Sequence, residues 1–177
     1  MPTENELKYV IALDTEKQFQ SSAKPIRIWQ GYALAVGGCA ARVRKCDDGK
    51  KVSYSFTFKK NCNGRVVELE QEIDKRDFQD LWDSSLIRLE KVRYKYAAPY
   101  LGWEVDFFKD AHDQTYFAMA ECEMPEGQKV PSLTPSVIQK ALIFAVPQDD
   151  CRFGSKELAD VRHAKKLLAE VQGGGTK

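Results

Sequence analysis

Residues 66–73 read VVELEQEI. Every second position, Glu68, Glu70 and Glu72, is an acid, while Val67, Leu69 and Ile73 are apolar. A strand has period two, so the acids share one face and the apolar residues take the other. The pattern recurs along the chain with its sign sorted by segment. Arg42 and Arg44 are in phase, as are Lys91, Arg93 and Lys95. Lys59 follows Ser53, Ser55 and Thr57 on the polar side of VSYSFTFKK, opposite Tyr54, Phe56 and Phe58. Glu4, Glu6 and Lys8 alternate with apolar positions near the N-terminus, and Glu121 and Glu123 do so late in the chain. A half-buried sheet with its polar face in water accounts for any one row. The set asks for more, because like charges in phase repel and Glu is a modest strand former. Rows of both signs compensate each other in a shared enclosed space. The architecture expected is therefore α+β: a closed eight-stranded antiparallel β-barrel, or tunnel, charged face inward, apolar face outward under peripheral helices.

Length and turn signals fit that expectation. The chain has 177 residues, the size of one domain. Residues 1–172 are expected to form it, with 173–177, GGGTK, a flexible tail. Strands are expected at 4–13, 26–35, 52–60 and in the segments already named, joined by hairpin turns at Gly37-Gly38, 47–50, 61–64 and 110–113. Phe78, Leu81 and Trp82 at i, i+3, i+4 predict a helix over 74–85 with Asp74 as its cap. A helix is expected over 136–145 and another over 155–171 capped by Ser155, with Leu158, Val161, Leu167 and Leu168 as its apolar stripe.

Composition excludes several functions. There are 27 basic and 26 acidic side chains, net charge +1, so bulk-charge binding of nucleic acid is not expected. No apolar run reaches the roughly 18 residues of a membrane span, and the N-terminus has no signal-peptide pattern. Five scattered cysteines without a CxxC pair predict reduced thiols and a cytoplasmic protein. The two histidines, His112 and His163, stand at no zinc-ligand spacing and in no Ser-His-Asp motif.

An enclosed space lined by both signs suits one ligand class. Arg and Lys rows bind a polyanion, Arg through a fork that matches phosphate oxygens. Carboxylate rows bind hard cations, Mg²⁺ or Mn²⁺, which also take phosphate oxygens. The two together describe a metal–polyphosphate site. No GxxxxGKS/T loop occurs, which excludes the phosphate-binding loop of that class.

The same residues carry a family resemblance. Glu4-Asn5-Glu6-Leu7-Lys8 resembles the N-terminal ExExK motif of the CYTH superfamily, the triphosphate tunnel metalloenzymes. In order there follow Gln30-Gly31-Tyr32, Arg42-Val43-Arg44, Thr57-Phe58-Lys59, Glu68-Leu69-Glu70, Lys91-Val92-Arg93, Val105-Asp106 and Glu121-Cys122-Glu123, each similar to a family element. Asp150-Cys151-Arg152-Phe153 looks like the segment before the last helix, with Phe153 where the family usually has Tyr and Gly154-Ser155 where it often has Lys-Asn.

The resemblance implies a bacterial-type inorganic triphosphatase that splits tripolyphosphate into pyrophosphate and phosphate with Mg²⁺ or Mn²⁺. A class IV-type adenylate cyclase, a thiamine or nucleoside triphosphatase, and a non-catalytic polyphosphate-binding module are the alternatives. The metal ligands it implies are Glu4, Glu6, Glu68, Glu70, Glu121 and Glu123. Lys8, Arg42, Arg44, Lys59, Lys91, Arg93 and Arg152 would bind substrate, and Glu4, Glu6 and Lys8 are the expected catalytic set. Asp106 would hold one of the basic residues in place. The expected partner is a small-molecule triphosphate, with no nucleic acid and no membrane; a homodimer is common in the family.

Overall fold

The computed structural model describes residues 5–62, 65–148 and 150–174, without the side chains of Ala35, Arg65 and Val66. Glu4, part of the NCNG turn and the last three residues of the expected tail lie outside the described residues. Nine strands form one antiparallel sheet. They are β1 (Glu6–Ile11), β2 (Pro25–Val36), β3 (Cys39–Asp47), β4 (Val52–Cys62), β5 (Arg65–Glu72), β6 (Ile87–Lys95), β7 (Trp103–Lys109), β8 (Thr115–Glu123) and β9 (Leu142–Val146), in the spatial order β5-β4-β3-β2-β6-β7-β8-β1-β9. The helices are α1 (Glu16–Gln20), α2 (Lys75–Ser84), α3 (Ser136–Ala141), α4 (Ser155–Leu158) and α5 (Val161–Gly173).

Local chemistry sets these elements. Gly37 and Gly38 both take positive φ, 59° and 71°, which is the two-residue turn whose twist matches a hairpin. Asp47 and Asp48 accept backbone N–H bonds from Gly49, Lys50 and Lys51 to close the next turn. Asp74 caps α2 as expected, accepting from the Asp77 N–H at 2.8 Å. Phe78 of α2 is buried against Tyr54 and Trp82, on the convex side of β2–β4. Gly31 is required there, because a Cβ would stand 2.7 Å from Ser85 Oγ and 3.2 Å from the Trp82 ring.

The sheet curls. Glu68 of β5 and Glu6 of β1, at nearly opposite ends of the strand order, line one cavity. It is not, however, the closed eight-stranded barrel expected from the sequence: hydrogen bonds do not join its edges, β5 and β9. Both edges carry features that discourage pairing. β9 has only five residues and runs into Pro147, and β5 carries its glutamate row.

A second correction concerns the helices. On the convex face the apolar rows of β6, β7, β8 and β1 (Tyr94, Trp103, Val105, Phe107, Ala118, Ala120, Ile11) pack with Phe19 of α1 and Ile138 of α3, as expected. The concave face is not charged from end to end. Val10, Leu89, Phe108, Phe117 and Met119 point inward and are buried against Phe153, Leu158 of α4 and Ala164, Leu167 and Leu168 of α5. The C-terminal segment therefore fills one end of the concave face rather than lying at the periphery. Within it the expected single helix is broken. Asp160 accepts N–H bonds from Arg162 (2.9 Å) and His163 (3.2 Å), starting α5 afresh and leaving Ser155 without a capping bond. The helix expected over 136–145 likewise ends at Ala141, and Leu142–Val146 pairs with β1.

Candidate functional site

At the other end of the concave face lies a cavity of about 490 Å³. Seven cationic and six anionic side chains line it among the described residues. β1, β3, β4, β5, β6 and β8 reach it through the charged phase read from the sequence: Glu6 and Lys8, Arg42 and Arg44, Lys59, Glu68, Lys91 and Arg93, and Glu121 and Glu123.

Arg42 and Arg44 of β3 form one wall. Arg44 is half-buried and donates from Nε and Nη2 to Gln30 Oε1, at 3.1 and 2.8 Å. Gln30, fully buried, donates in turn to the Tyr32 hydroxyl at 2.7 Å. Among the described residues Arg44 has no carboxylate partner. Burial, with Arg42 and Arg93 nearby, pulls its guanidinium below the ordinary value. Arg42 donates to Thr57 Oγ1 at 3.2 Å, and Thr57 donates to Glu70 at 2.9 Å. The Arg42 Nε–H is buried and meets no acceptor among the described residues. Two arginines thus point more donors into the cavity than the protein satisfies.

Opposite stands a buried hub. Asp106 is 1% exposed and accepts from Lys91 Nζ at 2.6 Å and from Arg93 Nε and Nη2 at 2.7 Å each. One carboxylate thus serves two cations, and Arg93 reaches further acids on β7 and β8. Burial would raise the Asp106 carboxyl, but Arg93 and Lys91 outweigh it and hold it well below the carboxylate range. Lys91, also 1% exposed, is pulled down to about 8 by burial and by Arg93, against the opposing pull of Asp106. Its amine also lies 3.5 Å from Ser155 Oγ, at the start of α4.

The acids gather on β1, β7 and β8. Glu6 and Glu123 are direct cross-strand partners, and Glu121 stands opposite both Lys8 and Glu104. Lys8 pairs with Glu6 at 2.9 Å and with Glu121 at 3.7 Å. Arg93 pairs with Glu104 and, at 3.7 Å, with Glu121. Burial, then Asp106, raises the Glu121 carboxyl. Lys59 and Glu68 face each other across β4 and β5, 3.7 Å apart.

Of the residues singled out in the sequence, Glu6, Lys8, Arg42, Arg44, Lys59, Glu68, Lys91, Arg93, Glu121 and Glu123 line the cavity. Two do not. Glu70 lies behind Thr57, 3.9 Å from Arg42. Arg152 is tied at the surface to Asp150 at 2.7 Å and Glu170 at 3.2 Å. Lining residues without a sequence-assigned role are Tyr32, Thr57, Glu104 and the 154–157 segment. Glu104 was open to detection, since it stands in phase with Asp106 in WEVDF.

The donor set suits a hard divalent cation in chemistry: Glu6, Glu104, Glu121 and Glu123 supply anionic oxygen on adjoining strands. Among the described residues no three acidic, histidine or cysteine side chains converge in metal-holding geometry; Glu6, Glu104 and Glu121 are engaged by Lys8, Arg93 and Lys95 instead. All five cysteines are unbonded, and no described helix is long and apolar enough to cross a membrane.

Comparison with known proteins places the fold. No family model and no curated protein matches the chain. Solved structures do. A Bacillus halodurans protein described as a "putative adenylate cyclase" superposes with a TM-score of 0.52 at 16% identity, over 86% of this chain and 97% of that one. The hypothetical protein NE1496 gives 0.51 at 23% identity, over 87% and 95%. The Pyrococcus horikoshii protein PH1012 gives 0.50 at 18% identity, over 70% and 79%. At these identities the likeness is one of fold alone.

Proposed function

We propose that this chain hydrolyses a triphosphate with the help of Mg²⁺ or Mn²⁺, and that inorganic tripolyphosphate is the preferred substrate. The observation that carries the reading is the unsatisfied cationic wall. Arg44 has an amide where an ion-pair partner would be, and Arg42 keeps a buried N–H without an acceptor among the described residues. A buried donor without a partner is costly, and a polyphosphate oxygen removes that cost.

The basic residues would grip the chain of phosphates from two sides, Arg42, Arg44 and Lys59 from one wall, Lys91 and Arg93 from the other. Their fixed donors would stabilise negative charge on the equatorial and leaving oxygens as the terminal P–O bond breaks. Glu6, Glu121 and Glu123, with Glu4, would hold the divalent ion, which supplies charge neutralisation and an activated water. Lys8, between Glu6 and Glu121, would keep these carboxylates apart until substrate arrives. No protein nucleophile is required.

A second reading has an observation of its own. A compartment of about 270 Å³, walled by the Val36–Ala40 hairpin, Asn61 and Lys156, adjoins the cavity through Ala40 and Lys59. It gives room for an organic group on the triphosphate, as a cyclase or nucleoside triphosphatase would need. The test is one panel: tripolyphosphate, thiamine triphosphate and ATP, each with Mg²⁺ or Mn²⁺ and with EDTA. Phosphate release from tripolyphosphate that EDTA abolishes supports the first reading, and cyclic AMP from ATP supports the second. Release from none of them contradicts both.

A further inference from the structure

We infer that the chain has a second anion site, for a phosphoryl group such as inorganic phosphate, at the rim where β2 starts and β6 ends. A cavity of about 760 Å³ lies there, between the segment that joins α1 to β2, the turn that joins β3 to β4, and the end of β6. Among the described residues it shares no lining side chain with the cavity of Arg42 and Arg44. Three lysines line it, Lys24, Lys50 and Lys95, with one acid, Asp48. Asp48 is engaged by its own turn, where Oδ1 accepts the Lys50 and Lys51 N–H groups at 2.8 and 2.7 Å. A second observation is Tyr96. It lines the same cavity and is 6% exposed. Its buried hydroxyl has no hydrogen-bond partner of good geometry among the described residues, although Ser22 of the cavity wall stands beside it. Burial raises the phenol, so the hydroxyl keeps its proton. A buried donor without an acceptor is costly, and a phosphoryl oxygen held by the lysines would supply one. Ammonium and hydroxyl groups are the donors that recognise such an oxygen.

Lys95 connects the two cavities. Its Nζ is 3.0 Å from Glu104 Oε1, and the other Glu104 oxygen holds Arg93. Glu104 and Arg93 both line the cavity of Arg42 and Arg44. An anion that draws Lys95 outward leaves the Glu104 charge to Arg93 alone, and Arg93 is then less available to a polyphosphate. Occupation of either site should therefore weaken the other, reciprocally. This coupling rests on the triphosphate reading; the second site itself does not.

The experiment is calorimetric titration of inorganic phosphate into the wild-type protein, Arg44→Ala, Tyr96→Phe and the double variant Lys24→Ala/Lys50→Ala, with a melting curve for each. Lys24 and Lys50 are exposed, so their substitution leaves the fold alone. Phosphate binding should persist in Arg44→Ala and fall about tenfold or more in the double variant, which loses two charge-assisted contacts. Tyr96→Phe should bind phosphate severalfold more weakly, while its ligand-free melting temperature is unchanged or raised because an unpaired hydroxyl is gone. Saturating phosphate should reduce tripolyphosphate affinity, measured with Ca²⁺, severalfold in the wild type and leave it unchanged in the double variant. Phosphate binding that Arg44→Ala abolishes and the double variant keeps overturns the inference, as does a wild-type protein that binds no phosphate. A loss of tripolyphosphate affinity that survives in the double variant is competition inside one cavity and overturns the coupling. A wild-type protein that binds phosphate through Lys24 and Lys50 but releases none from any triphosphate refutes the hydrolase reading alone.

Discussion

Arg44 and Arg93 are both arginines facing one cavity, yet substituting them should have opposite consequences for the empty protein. Arg93 is held by Asp106 and flanked by Glu104, so its charge is compensated. Among the described residues the Arg44 side chain hydrogen-bonds only Gln30, and it sits among other cations. Arg44→Ala should weaken tripolyphosphate binding roughly 10- to 100-fold, since a charge-assisted hydrogen bond contributes about 1.5–3 kcal/mol. It should leave the ligand-free melting temperature unchanged or raised. Arg93→Ala should lower that temperature, because it removes one of the two cations that compensate Asp106. Equal melting losses in the two variants would show that Arg44 has a structural partner. Lys91 adds a pH signature. Its folded-state value of about 8 is below the ordinary lysine value, so between about pH 8 and 10 the unfolded chain binds the extra proton. Stability from this group must therefore rise with pH through that window, and the destabilising charge is fully present below it. A melting-temperature profile of wild type minus Lys91→Met should slope upward there, and a flat difference would contradict the assignment. The charged rows were legible residue by residue because period two sorts side chains by face without help from tertiary structure. What Asp106 does was only half legible: VD shows an acid in phase with Glu104, but its burial and its two partners depend on how β6 pairs with β7.

At the scale of elements, turns and short amphipathic segments were readable, while the strand at Leu142–Val146 and the break between α4 and α5 were not. Asp74 and Gly37-Gly38 act locally, through a cap and a positive φ, so their signals survive in any fold. LIFAV is a short apolar run, which periodicity alone cannot assign to helix or strand, and a free edge of β1 decides it. The stripe of Leu158, Val161, Leu167 and Leu168 suggested one helix because helical phase continues across the break that Asp160 makes. The cap explains the break. Asp160→Ala should cost about 1 kcal/mol, within the 0.5–2 kcal/mol typical of such caps. Urea denaturation should show the lower midpoint with an unchanged slope. The same variant should perturb tripolyphosphate affinity, since Ser155, Lys156 and Glu157 of the neighbouring α4 line the cavity. Unchanged stability would mean that Leu167 and Leu168 alone hold α5 in place.

Taken whole, the molecule is an open sheet curled around a space that it does not close by strand pairing. Alternation in the sequence predicted a charged interior and an apolar exterior, and β1, β6, β7 and β8 follow that rule over only part of their length. The remainder of their concave face is apolar because Phe153, Leu158 and α5 must be buried somewhere. Closing the end with a helix removes the need for β5 and β9 to meet. It leaves a cavity in which cations and carboxylates neutralise each other incompletely until a polyanion enters. That is the central claim, and a melting curve tests it most directly. Tripolyphosphate with Ca²⁺, at about 100 times its dissociation constant, contributes roughly 2.7 kcal/mol by mass action. For a chain of this size that is a rise of about 5–10 °C, at about 2–4 °C per kcal/mol. Surface charges would be screened at about 0.15 M salt, where the Debye length is roughly 8 Å, whereas an enclosed site is screened far less. The account predicts that the rise persists at about 0.15 M salt and is lost in Arg44→Ala. A rise that appears only at low salt, or that Arg44→Ala leaves intact, would contradict it.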